Sequence, residues 1–155
     1  AAAWKRVVET WPKLDRSLLF RMRNLRVTAH HLRARAALAH DAPSAEQVGA
    51  ARKSAAILER ERMPSSLGIS RLVRAGLASH DGDREGAADW LARAVEALEA
   101  AEMASYAASA RRRRGVLVGG DEGRALVEAA DAYFTNEGVR DPARLAAMLV
   151  PLRGE

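Results

Sequence analysis

Apolar positions recur along this chain at steps of three and four, and no stretch alternates as a half-buried strand would. The pattern predicts an all-α fold. Leu18, Met22, Leu25, Ala29, Leu32, Ala36 and Ala39 form one continuous seam, which predicts a first long helix from about Asp15 to His40. Before it, Trp4 to Trp11 reads as the end of an earlier helix stopped by Pro12. Ser44 and Gln47 have the spacing of a capping box and open a second helix running to about Met63. A third is expected over Ser66 to Ser79, with Leu67, Ile69, Leu72, Val73 and Leu77 apolar. Asp83 caps a fourth, Arg84 to Ala101, whose seam holds Ala87, Leu91, Ala94, Val95 and Leu98. A fifth runs from Ala104 to Val118, and a sixth from Glu122 to Asn136 with Gly138 ending it. Asp141-Pro142 starts a short seventh, since proline at the first helical position loses no hydrogen bond.

The helix ends disclose a period. "AALAHD", "AGLASHD" and "VLVGGD" end at Asp41, Asp81 and Asp121, and the preceding small or apolar positions align: Ala37, Leu77 and Leu117, then Ala39, Ser79 and Gly119. An alanine-rich helix follows each. This predicts three helix-turn-helix units, about 16–63, 66–103 and 104–137, with a capping helix at 141–150. A fixed period of this size is the mark of a solenoid, in which one unit cannot bury its apolar faces alone. The expected architecture is one domain over 1–155, with six or seven helices.

"RAGLASHDGDREGAADWLARAVEAL" (74–98) resembles a tetratricopeptide repeat. It has a small residue late in the first helix (Gly76), Gly-Asp at the turn, and alanines at 87, 88 and 94 where the helices would touch. The period is longer than the usual 34 residues of that family. The tail "GGDEGRALVEAADAYFTNEGVRDPARLAAMLVP" (119–151) is similar to the C-terminal end of large multidomain bacterial serine/threonine kinases of the myxobacterial kind. That resemblance implies a bacterial, cytoplasmic signalling context and a non-catalytic accessory region. No glycine-rich nucleotide loop, His-Arg-Asp or Asp-Phe-Gly motif is present.

Composition narrows the chemistry. Without cysteine there is no disulfide, thiolate site or Cys nucleophile, which fits a reducing compartment. No apolar run approaches the length of a bilayer span. Lacking an initiator Met and starting in helix-like sequence, the chain reads as a piece of a longer protein. Arginine outnumbers lysine 22 to 3, a bias that a GC-rich genome would produce. The charge is uneven: residues 1–41 hold nine basic and three acidic residues, a balance of +6 against +5 for the whole chain.

His40-Asp41 and His80-Asp81 could suggest acid–base catalysis. Helical neighbours point about 100° apart, however, and a helix C-terminus favours histidine on its own account. A corner between helices is the expected role, with no catalytic residue. The four histidines lack ligand spacing for a metal, and no cofactor is implied. Arg23, Arg26, His30 and Arg33 step by three and four into one stripe. With Arg71 and Arg74 on the next unit, they are the candidates for holding carboxylates of an acidic protein or peptide. Nucleic-acid binding would need aromatic platforms or a motif beside the charge, and the stripe has neither. In "RRRR" (111–114) the charges spread around a helix, so at least one must lie against neighbours with its stem on apolar surface. Trp4 and Trp11 share a helical face at the N-terminal edge, where an exposed apolar end would favour a homo-oligomer. The expected function is therefore a protein-interaction scaffold, with a structural spacer or self-association region of a kinase as the alternative.

Overall fold

The computed structural model describes residues 2–40 and 42–153. Among these there are eight α-helices and no strand: α1 (Ala2–Arg16), α2 (Arg23–Leu38), α3 (Ala45–Arg60), α4 (Pro64–His80), α5 (Arg84–Ala100), α6 (Ala104–Val118), α7 (Gly120–Asn136) and α8 (Pro142–Leu149). Eight exceeds the six or seven expected. The surplus comes from the N-terminal region, where the expected helix from Asp15 to His40 is broken. α1 continues through Pro12 to Arg16, and the carbonyl that loses its amide partner to the proline belongs to Val8, an exposed residue. The chain then bends at Ser17, whose hydroxyl donates to the Leu14 carbonyl at 2.7 Å and accepts from the Leu19 amide at 3.3 Å. A 3-10 turn over Leu18–Arg21 leads into α2.

Downstream, local signals set the boundaries. Ser44 and Gln47 form a reciprocal capping box at α3. The Asp83 carboxylate accepts from the Gly86 amide at 2.8 Å, and that of Asp141 from the Arg144 amide at 2.9 Å. Pro64 and Pro142 stand in the first turns of α4 and α8. Successive helices pack as neighbours from α2 through α7, and α2, α4 and α6 start about 40 residues apart. α8 turns back onto α6 and α7.

The apolar core has two parts. One joins α2, α3 and α4 through Ala34, Ala37, Leu38, Ala51, Leu58 and Val73. The other joins α4, α5, α6 and α8 through Leu72, Leu91, Leu98, Ala107, Leu149 and Val150. Small residues set the helix separations. A side chain at Gly115 in α6 would meet the Gly123 carbonyl of α7 at 2.6 Å, so only a glycine pair lets these two backbones approach. Gly76, the small residue of the repeat-like stretch, is small for a different reason. A Cβ there would meet the Leu38 side chain at 2.8 Å and the Pro151 carbonyl at 3.0 Å, so α2 and the C-terminal segment both crowd it.

Candidate functional site

α2 presents two apolar-capable faces, and the structure buries the less apolar one. Val27, His30, His31, Ala34, Ala37 and Leu38 face the core. Of the continuous seam read from the sequence, Leu18 (70%), Met22 (59%), Leu25 (41%) and Leu32 (52%) are exposed. The expectation that this seam forms the core is therefore corrected. Close packing on α3 selects the face with small residues, Ala34 and Ala37, and leaves the leucines outside.

What those leucines do is visible from α1. Trp4, Val7, Trp11 and Leu14 lie on the side of α1 that is half-buried, at helical spacing. Trp4 reaches the first core cluster, and Trp11 packs against Phe20 at 5.4 Å and His30 at 5.0 Å between ring centres. Neither tryptophan is an exposed edge; the exposed apolar residues there are Val8, Leu18, Leu19 and Met22. Between α1 and α2 lies an open apolar groove of about 390 Å³, floored by Leu25, Ala29 and Leu32 and walled by Val7, Trp11, Leu14 and Phe20. A second cavity of about 540 Å³ shares Arg6, Val7 and Leu32 with the first. It continues along Ala36 and Ala39 to Met148, Pro151 and Leu152. Among the described residues, arginine and histidine are the only charged or titratable side chains lining either cavity, and no carboxylate does.

The stripe on α2 meets its partners within the fold. Arg26 grips Glu61 bidentately, Nε to Oε1 at 2.6 Å and Nη2 to Oε2 at 3.0 Å, and also donates to the Phe20 carbonyl. That grip holds the Glu61 carboxyl below its usual range and raises Arg26. Arg23 adds a second cation to Glu61 at 3.4 Å. His30 lies with Nδ1 3.2 Å from the Ser54 hydroxyl, and burial pushes its pKa down to about 4. Arg33 lies 4.1 Å over the Trp11 ring, lowered from its ordinary value by burial. On α4, Arg71 donates to the Arg93 carbonyl at 2.6 Å, and Arg74 pairs with Glu59 and sits 5.2 Å from the Trp90 ring. Of the six candidates, Arg33 alone lines the groove.

Sequence reasoning did not single out Arg6 and Arg35, and it did not say which residue of "RRRR" points inward. Arg35 donates to the Met148 carbonyl through Nε at 3.1 Å and Nη2 at 2.7 Å, neutralising the C-terminal end of α8. Arg113, the inward-pointing residue of "RRRR", is 1% exposed and donates to the Val150 carbonyl at 3.1 Å. Burial and neighbouring Arg112 bring its pKa down to about 10. Its neighbours diverge: Arg111 pairs with Glu99, Arg112 with Asp131 at 2.7 Å and Arg114 with Glu122 at 3.0 Å. The requirement that one of four consecutive arginines point inward was legible; which one, and toward what, was not.

The His80-Asp81 pair is a helix corner. His80 is the last residue of α4 with Nε2 3.2 Å from the Leu38 carbonyl, whereas Asp81 turns outward to Arg52 at 3.1 Å. Gly82 follows with φ +82°. Asp41, the first of the three period-marking aspartates, lies outside the described residues. No group of three or more His, Asp or Glu placed to hold a metal occurs among the described residues. No helix among them is long and apolar enough to cross a membrane. Comparison with family models, with curated proteins and with solved structures finds no match for this chain.

Proposed function

We propose that this chain is a non-catalytic protein-interaction module, a tetratricopeptide-like stack of helical hairpins serving a bacterial cytoplasmic signalling protein. Its recognition face is the groove along α2, and its partner segment is acidic. The observation that carries this reading is the groove floor: Leu25 and Leu32 stay exposed beside a core that could have used them. The partner's charge follows from a lining that holds Arg6, Arg33 and Arg35 and, among the described residues, no carboxylate. The signalling context rests on the kinase resemblance of residues 119–151.

The test is an NMR titration of the isotope-labelled chain with two synthetic peptides of equal leucine content, one glutamate-rich and one lysine-rich. The glutamate-rich peptide should shift amides within residues 6–14 and 25–36, and Leu32→Glu should abolish those shifts. An equal response to both peptides, or shifts confined to α5–α7, would tell against the groove. Self-association is the second reading, favoured by the exposed Leu18, Leu19 and Met22. A concentration-dependent mass in light scattering that Met22→Glu restores to the monomer would support it instead.

A further inference from the structure

Two surfaces of this molecule are available to hold a segment of chain, and they are built for different backbones. The first is already filled. Residues following α8 leave the helical conformation, with Val150 at φ −129° and ψ 80°, and cross α4 beside Gly76. At three backbone groups of this segment the fold supplies a polar partner. Arg35 takes the Met148 carbonyl, Arg113 the Val150 carbonyl, and the Ser79 hydroxyl accepts the Arg153 amide at 3.0 Å. A non-helical segment needs this, because its own N–H and C=O groups have no partners within the segment.

Along the α2 groove such partners are few, since Arg35 and Arg113 at its far end are already engaged with the C-terminal segment. Its floor is Leu25, Ala29, Leu32, Ala36 and Ala39, which are hydrocarbon, and its polar lining is two threonines and the arginine and histidine side chains. An extended peptide laid there would leave its amide N–H groups largely unsatisfied. A helix would not, since it closes its hydrogen bonds internally. The floor also has the three-and-four spacing that receives a helical ridge, and it lies between two helices, α1 and α8. From Leu25 to Ala39 it spans roughly 21 Å, about four helical turns.

We infer that the groove takes an acidic amphipathic α-helix of about four turns, seated on the α2 seam between α1 and the end of α8. The helix sets its apolar stripe on Leu25, Ala29 and Leu32 and turns its carboxylates toward Arg6 and Arg33. This deepens the proposed function and rests on it.

The experiment is selection from a phage-displayed library of random peptides of about 18 residues against the full chain, with the Leu32→Glu chain as the counter-selection target. Enriched sequences should carry apolar residues at i, i+3, i+4 and i+7 with an acidic excess. Two of them, made synthetically, should gain helical circular dichroism on binding. Their affinity should fall about tenfold or more with Leu32→Glu and several-fold with Arg6→Glu. Leu32 is exposed, so its replacement leaves the fold intact; Val116→Glu, also at an exposed position, should leave binding unchanged. Enriched sequences that are proline-rich or alternating, yet lost with Leu32→Glu, would overturn the helical occupant while sparing the groove. A basic excess would overturn the charge assignment. Absence of enrichment over the Leu32→Glu chain would overturn both inference and proposed function. A dimer dispersed by Leu32→Glu in light scattering would assign the groove to a second copy and overturn the inference too.

Discussion

The N-terminal third and the C-terminal half use the same alanine- and leucine-rich vocabulary to opposite ends. In α4, α5 and α8 leucines fill the core: Leu72, Leu91, Leu98 and Leu149 are buried, and Gly68 makes room for Leu98 by bringing a bare Cα against it. In α2, Ala34 and Ala37 are buried together with Leu38, while Leu25 and Leu32 stay exposed. α1 contributes no buried residue at all. The difference teaches that an apolar helical stripe reports a face meant for contact without saying with what. A face used within the fold is packed to the density of the interior, whereas a face kept for another molecule is walled but open.

The largest expected effect tests this contrast with one chemical change at two places. Leu98→Ala should cost about 3–5 kcal/mol, because it leaves a cavity among Gly68, Leu72 and the neighbouring helices. Leu32→Ala removes the same atoms from an exposed floor and should change stability by no more than about 0.5 kcal/mol. Urea unfolding followed by circular dichroism measures both. Similar losses at the two positions would mean that the α2 seam belongs to the core after all.

Where the sequence could be read, it was through signals that act over a single turn. The capping box at Ser44 and the aspartate caps at 83 and 141 each satisfy helix-end amides from three residues away, and Pro142 in the first turn has no amide to satisfy. That is why α3 to α8 were legible almost to their ends. Ser17 was not, because its break depends on a hydroxyl that bonds in both directions across the bend. The stripe of Arg23, Arg26, His30 and Arg33 was legible as a stripe, but its occupants were not. Glu61 lies 35 residues beyond Arg26, and Trp11 stands on a helix that the sequence did not join to α2. The groove itself lay hidden in a correct pattern assigned to the wrong partner.

The next prediction separates the two regions by pH. His30 and His31 both sit on α2 and are pushed by burial to about 4, with Arg33, Arg26 and Lys53 lowering His30 further, Asp15 opposing, and Arg35 lowering His31. His31 also packs 5.6 Å from the Tyr106 ring of α6, so it ties the N-terminal region to the rest. The unfolded imidazoles titrate near 6.5, so between 6.5 and 4 the unfolded chain binds more protons. The stabilisation is complete above about pH 6.5 and is lost as pH falls toward 4, on the order of 2–3 kcal/mol per histidine. Urea midpoints at pH 7.5, 6 and 5 should fall in that order, and His30→Gln with His31→Gln should flatten the dependence. If the double variant keeps the full slope, carboxylates rather than these imidazoles govern it.

The effect at Ser17 is the most local. Ser17→Ala removes the hydroxyl that caps the 3-10 turn and closes the α1 end, a loss of about 1 kcal/mol for a capping side chain. Because α1 buries nothing completely, that loss should appear in opening of α1 rather than in unfolding of the whole. Amide exchange within residues 5–16 should accelerate about fivefold, while exchange in α5 and α6 and the melting temperature stay unchanged. If exchange accelerates equally in α5 and α6, α1 is integral to the cooperative unit. The open groove would then be a rigid part of the fold, and a partner helix would meet a preformed wall instead of one that it helps to order.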